Sequence, residues 1–132
     1  MMKQFIAILF IAFSLYSCDD HPNPEVLPPE TPGPPSIQIN VAKGVWNITD
    51  SSATANAGAI WQYGAAVTVK GLIWWKNNDT VFFRTNEGGG TDAFNSTMTN
   101  LTPETMYHVR AYAINSYGEG RSHDTLNFTT LK

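Results

Sequence analysis

An all-β sandwich of seven short strands is the fold this sequence predicts, set behind an N-terminal leader and a proline-rich stretch. Three observations predict it. After residue 36 the apolar residues recur with period two, as in half-buried strands. Clusters of Gly, Asn and Asp break these runs at short intervals, and no stretch there carries the 3.6-residue period of an amphipathic helix. The 132 residues suit a single domain. Only 14% are charged, and a net charge of −3 without any Lys/Arg cluster argues against a nucleic-acid binder. One cysteine excludes a disulfide framework and a Cys-rich zinc or iron–sulfur site within the chain.

The chain begins with Lys3 ahead of an unbroken apolar run over residues 5–13, then Leu15, Tyr16, Ser17 and Cys18. A basic start followed by a short apolar segment is the pattern of a secretory signal, too short to span a bilayer. The segment 1–17 is therefore expected to be a signal peptide. The small Ser17 before the only cysteine resembles the lipobox of bacterial lipoproteins, and the resemblance implies that Cys18 is the lipidation site. Asp19 and Asp20 resemble the surface-export signal of Bacteroidetes lipoproteins, which implies an outer-membrane lipoprotein at the cell surface, held to the membrane through its lipid anchor.

Residues 18–36 are expected to comprise the lipidated cysteine that the resemblance implies and a linker carrying Pro22, Pro24, Pro28, Pro29, Pro32, Pro34 and Pro35. Proline at this density prevents a helix or a central strand. In polyproline II, at about 3.1 Å per residue, such a stalk reaches roughly 55 Å. The domain proper is expected over residues 37–132.

Its first strand is read from the alternation of Ile37, Ile39 and Val41, and the second from Ala53, Ala55, Ala57, Ala59 and Trp61, which the period places on one inward face. Gly64 marks the turn out. A third strand covers 67–76, and Asn77-Asn78-Asp79 separates it from a short fourth over 80–85. After the break at Gly88-Gly89-Gly90, strands over 93–99, 106–115 and 125–130 complete the seven, with residues 116–124 left as a loop.

The stretch Leu101-Thr102-Pro103-Glu104-Thr105-Met106-Tyr107 resembles the corner before strand F of fibronectin type III domains. The resemblance extends through Val109-Arg110-Ala111-Tyr112-Ala113 and Asn115-Ser116 to Phe128-Thr129-Thr130. Upstream, Gly64 to Thr68 and Gly71-Leu72-Ile73-Trp74 look like the B–C turn and strand C of type III-like repeats in Bacteroidetes surface lipoproteins. It implies an immunoglobulin-like sandwich with a structural tyrosine corner at Leu101, Pro103 and Tyr107. Such repeats usually occur in tandem or beside a catalytic or carbohydrate-binding module, whereas this chain holds one copy. The loop after strand F carries Gly118-Glu119-Gly120-Arg121 and no Arg-Gly-Asp, so integrin-type adhesion is not carried over.

On strand C, Leu72 and Trp74 share one face, and Val69, Ile73 and Trp75 the other. The resemblance makes Trp74 the core tryptophan and strands C and F neighbours. Trp75, Arg110 and Tyr112 then form the candidate binding surface, an aromatic and guanidinium cluster of the kind found at interface hot spots. Phe82 and Phe83 cannot both face the core. Trp46, Trp61 and Tyr63 stand near strand ends, where they serve as lids or as a binding rim.

Catalysis has little support. No serine lies in a nucleophile elbow, the lone cysteine is assigned to lipid, and His21, His108 and His123 lack metal-ligand spacing. Asp79, Glu87 and Asp92 follow no calcium-loop ladder. Asp79-Thr80-Val81 and Asp124-Thr125-Leu126 resemble the O-glycosylation motif of exported Bacteroidetes proteins. The expected function is a non-catalytic, cofactor-free envelope module that docks a protein or glycan partner and no nucleic acid. The alternative is a structural spacer or accessory subunit of an outer-membrane complex.

Overall fold

A computed structural model describes residues 31–132. The signal peptide, Cys18 and the prolines up to Pro29 lie outside the described residues. Those described form nine strands and no helix, arranged as two antiparallel sheets.

In the first sheet β3 (Ala53–Trp61) is central. β1 (Ser36–Ile39) and β2 (Val45–Trp46) follow one another along one side of it, and β6 (Phe94–Met98) pairs along the other. In the second sheet β5 (Phe83–Arg84) is the edge beside β4 (Val69–Lys76), which pairs with the ten-residue β7 (Met106–Asn115) from Val69↔Ile114 to Lys76↔Tyr107. The far side of β7 is shared by β8 (Gly118–Arg121) and then β9 (Leu126–Thr129).

The period-two pattern builds the core. Ala53, Ala55 and Ala57 of β3 are fully buried in one cluster with Leu72, Trp74, Tyr107, Val109 and Phe128 from the other sheet. Small residues on one sheet leave volume for the large rings of the other, which is how an interior reaches close packing. The tyrosine corner is formed: the Tyr107 hydroxyl accepts a hydrogen bond from the Thr102 amide at 2.8 Å, and its ring stacks on Phe128. Leu101 is buried beside it in the core.

Val41, expected to continue the first strand, lies beyond β1 and is exposed, and the fourth strand expected over 80–85 is reduced to the two residues of β5; three further features depart from the sequence reading. The simple alternation along β3 ends at Ala59, because one extra residue enters the β1–β3 ladder between Gln38↔Gly58 and Ser36↔Trp61. Ala59 takes a left-handed φ of 51°, the inward face resumes at Ile60, and Trp61 turns outward with 46% of its surface exposed. This is a β-bulge with alanine where glycine is usual. Ala59→Gly is therefore expected to stabilise the fold by about 1 kcal/mol by relieving the left-handed strain. A rise in the urea midpoint at unchanged slope is the readout.

Residues 118–121, expected within a loop, are instead strand β8, joined to β7 by a two-residue turn in which Asn115 pairs with Gly118. The two glycines lower its apparent β-propensity, yet one is required by close approach. A Cβ on Gly120 would stand 1.7 Å from the Pro35 carbonyl oxygen. The third departure is β2, whose two residues are too short for a periodicity to show.

That approach at Gly120 belongs to a larger contact. Pro32–Pro35, at the end of the proline-rich stretch, lie against the domain: the Gly33 amide donates to the Tyr63 carbonyl, and the Asn115 side chain donates to the Gly33 carbonyl. The last prolines are thus part of the folded unit.

Candidate functional site

The β4–β7 register fixes which side chains share the outer face of the second sheet. Gly71 opposes Tyr112, Ile73 opposes Arg110, and Trp75 opposes His108. Trp75, Arg110 and Tyr112 do lie on one face, but they do not form one exposed cluster. Tyr112 is 1% exposed, so it offers no surface to a partner. With no side chain on Gly71 opposite, the segment after β5 closes over the sheet, and the Tyr112 hydroxyl donates to the Thr85 carbonyl. The Arg84 guanidinium then covers the ring at 4.6 Å. Arg110 is half-buried, its Nε donating to Thr125 Oγ1 at 2.7 Å. Ile73, between the opposed Arg84 and Arg110, is completely buried although it lies outside the main core.

The accessible part of this face is its aromatic end. Trp75 packs at 5.3 Å from Phe82 and at 5.5 Å from His108, whose ring nitrogens bond the Asn127 and Asn77 side chains. Phe83 turns the other way and stacks on Trp74 at 6.2 Å. Both phenylalanines stay about half exposed, at 49% each, and Val81 beside them at 52%. The reason is local. Phe83 begins β5, a two-residue edge strand on the far side of β4 from β7, and Val81 and Phe82 precede it outside any strand, so none of the three is covered completely. The Asp79 carboxylate accepts from the Thr80 and Val81 amides and holds the turn that presents these residues.

A charged cluster borders this aromatic end, and its arrangement was not visible in the sequence. Glu119 accepts from Arg84 at 2.9 Å and from Arg121 at 2.6 Å, and Arg121 lies 5.8 Å from the Phe82 ring. Burial alone would raise the Glu119 carboxyl, but hydrogen bonds from the two guanidinium groups outweigh it and hold its pKa below the usual value. Arg84 is raised in turn, chiefly by its bond to Glu119. Tyr112 is raised by burial, against the opposing effect of Arg84. A carboxyl lowered on folding stabilises the fold above its unfolded pKa, and that contribution disappears as pH falls through the folded value. Glu119→Gln is expected to flatten the loss of stability between about pH 5 and pH 3. Urea unfolding at several pH values measures it, and an unchanged pH slope contradicts the pairing.

The other aromatic residues singled out do not gather here. Trp46 is half-buried beneath Lys43, whose Nζ lies 4.0 Å from its ring centre, and Trp61 is on the outside of the first sheet. Asp79, Glu87 and Asp92 have separate roles. Glu87 accepts from the Ser96 hydroxyl, and the Asp92 carbonyl accepts from the buried Lys70 ammonium at 2.8 Å. Among the described residues no three His, Cys, Asp or Glu side chains converge as metal ligands.

No family model matches the chain, and no curated protein matches it. Solved structures do. Domains A168–A170 of titin superpose with a TM-score of 0.55 at 19% identity over 77% of this chain and 33% of theirs. The FN1–FN3 domains of chicken CNTN1 give 0.54 at 21% identity over 80% and 33%. The sensor domain of the anti-sigma factor RsgI4 from Pseudobacteroides cellulosolvens gives 0.51 at 20% identity over 75% and 96%. The chain spans about a third of the titin and CNTN1 chains that it matches. The shared fold is the fibronectin type III, immunoglobulin-like β-sandwich.

Proposed function

We propose that this protein is a lipid-anchored module of the bacterial cell envelope that catalyses nothing and docks a protein partner at the β4–β5 corner of its second sheet. One observation carries the docking surface. Val81, Phe82 and Phe83 are consecutive, each is about half exposed, and they lead into the edge strand β5 with Phe82 packed against the partly exposed Trp75. Monomeric proteins usually blunt such edges with charge or proline, and contiguous exposed apolar residues there mark an interaction site. Arg121 and Arg84 flank the patch as interface hot spots often are flanked. The leader and Cys18 support the anchor, and the proline segment supports a position held away from the membrane.

Capture from detergent-solubilised envelopes of the same cell tests the surface. The wild-type chain is expected to retain an envelope protein that Phe82→Ser and Trp75→Ala lose while melting normally. Retention of the same protein by both variants counts against the corner. Cys18→Ser is expected to release the protein from the membrane fraction, and its retention there counts against lipid anchoring.

A second reading, a spacer or accessory subunit, has its own observation. The hydrogen bonds of Gly33 to Tyr63 and Asn115 fix the direction in which the proline segment meets the domain. A fixed entry suits a part that sets distance and orientation within a complex.

A further inference from the structure

The outer face of the first sheet carries a feature that protein docking at β4–β5 leaves unused. The bulge at Ala59 interrupts β1–β3 pairing, and beside it lies an open depression of about 340 Å³. That volume falls in the range of small-molecule sites, about 300–1,000 Å³. Gly58, Ala59 and Ala93 supply small apolar surface, while Gln38, Asn40 and Asn56 supply amides; no lining residue is charged.

The amides are held in place. Asn40 Nδ2 donates to Asn56 Oδ1 at 3.1 Å, and Asn56 Nδ2 donates to the Phe94 carbonyl and to Asn95 Oδ1. Asn40 Oδ1 in turn accepts the Lys43 amide. This ladder, from Asn40 just after β1 across β3 to β6, orients the groups and still leaves capacity, since each amide oxygen has a second lone pair and Asn40 a second N–H. Two residues beyond Ala59, on the same outward face, stands the exposed indole of Trp61.

We infer that this depression binds a neutral saccharide. Amides donate and accept as sugar hydroxyls do, the small apolar residues of the lining suit the C–H face of a pyranose, and the exposed Trp61 indole, which stands outside the lining, provides a ring for stacking to a sugar that extends past it. A lining without charge gives an anion or a cation no counter-charge. The bulge that opens the site keeps alanine in a left-handed conformation, and bulges are common beside binding sites. The site is on the sheet opposite the β4–β5 corner, so the two surfaces are tested by different variants.

The test is titration of the full chain in detergent, followed by calorimetry and backbone NMR. The probes are neutral tri- to hexasaccharides of glucose, mannose, galactose, xylose and N-acetylglucosamine. One of these classes is expected to bind and to shift the amide signals of Gln38, Asn56 and Ala59. Trp61→Ala and Gln38→Ala are each expected to weaken that binding by about tenfold, the effect of losing one stacking or hydrogen-bonding contact. Phe82→Ser is expected to leave it unchanged. Thermal melting of each variant separates loss of a contact from loss of fold. Absence of binding by every class at millimolar concentration overturns the inference. Binding that survives both Trp61→Ala and Gln38→Ala, or that Phe82→Ser abolishes, overturns it equally.

Discussion

Alanine in place of Gly71 is expected to cost about 3 kcal/mol of stability, the upper end for overpacking against a rigid neighbour. Gly71 is completely enclosed on β4, and a Cβ there would stand 2.3 Å from the Thr85 carbonyl oxygen and 2.9 Å from its carbon. Those are backbone atoms, so no side-chain rotation relieves the clash. The segment after β5 would have to lift from β4, although the Thr85 amide donates to the Leu72 carbonyl and the Glu87 amide to that of Lys70. Lifting it also uncovers Tyr112, whose hydroxyl bonds to Thr85, and removes the partly buried hydrogen bonds that Thr85 Oγ1 makes with the Leu72 amide and the Ser96 hydroxyl. The edge that carries Phe82 and Phe83 then loses its position, so Gly71→Ala is expected to impair partner capture even where the core survives. Urea unfolding and the same capture assay measure the two effects. A loss below 1 kcal/mol places the segment away from Gly71 and contradicts the arrangement of this face.

The second large effect is expected at Asn115. Its side chain is 4% exposed, and its Nδ2 donates to the Gly33 carbonyl at 2.9 Å and the Gln62 carbonyl at 2.8 Å, with the Ala65 carbonyl at 3.4 Å. Its Oδ1 accepts the Tyr117 amide that begins the turn into β8. Asn115→Ala therefore strands acceptors from two loops and the donor of the hairpin, for about 3 kcal/mol. Asn115→Asp keeps the shape but sets a carboxylate against carbonyl oxygens. It is expected to be at least as destabilised at pH 7 and to recover in part on acidification. A buried carboxyl facing acceptors has its pKa raised, and its protonated form supplies one donor. Proteolysis within the proline segment reports the local consequence, because release of Gly33 exposes residues 32–35. A variant that melts normally with this segment still protected contradicts the clamp.

Where local chemistry decides, the sequence was readable. Ala53, Ala55 and Ala57 are buried as their alternation requires, and Leu72 and Trp74 enter the core as the parity of strand C requires. The run from Leu101 to Tyr107 closes into the expected corner. The reading failed where distant backbone decides. Nothing near Ala59 announces a bulge, because the residue there is alanine and the interruption is imposed by the pairing with β1. β8 was hidden by its two glycines, one of which, Gly120, admits Pro35, eighty-five positions earlier. At the site, strand parity correctly put Trp75, Arg110 and Tyr112 on one face. It could not show that a chain segment crosses over Gly71 and buries Tyr112. Glu119 and its partner Arg84 lie 35 positions apart and on opposite edges of one sheet, and they meet because the Arg84 side chain reaches across the outer face over the Tyr112 ring. The exposure of Phe82 and Phe83 was half legible. Parity predicted that the adjacent rings point to opposite faces, as they do, but that Phe82 precedes the edge strand and Phe83 begins it, which leaves both open, comes from topology.

The central claim is that the Val81–Phe83 edge is where this module meets its partner. A photo-activated cross-linking residue placed at Phe82 in living cells tests this most directly, with the same residue at the exposed Thr97 on the opposite sheet as control. The expected result is one discrete adduct with an envelope protein from position 82 and none from position 97. Equal labelling from both positions, or no adduct from position 82, would contradict the claim.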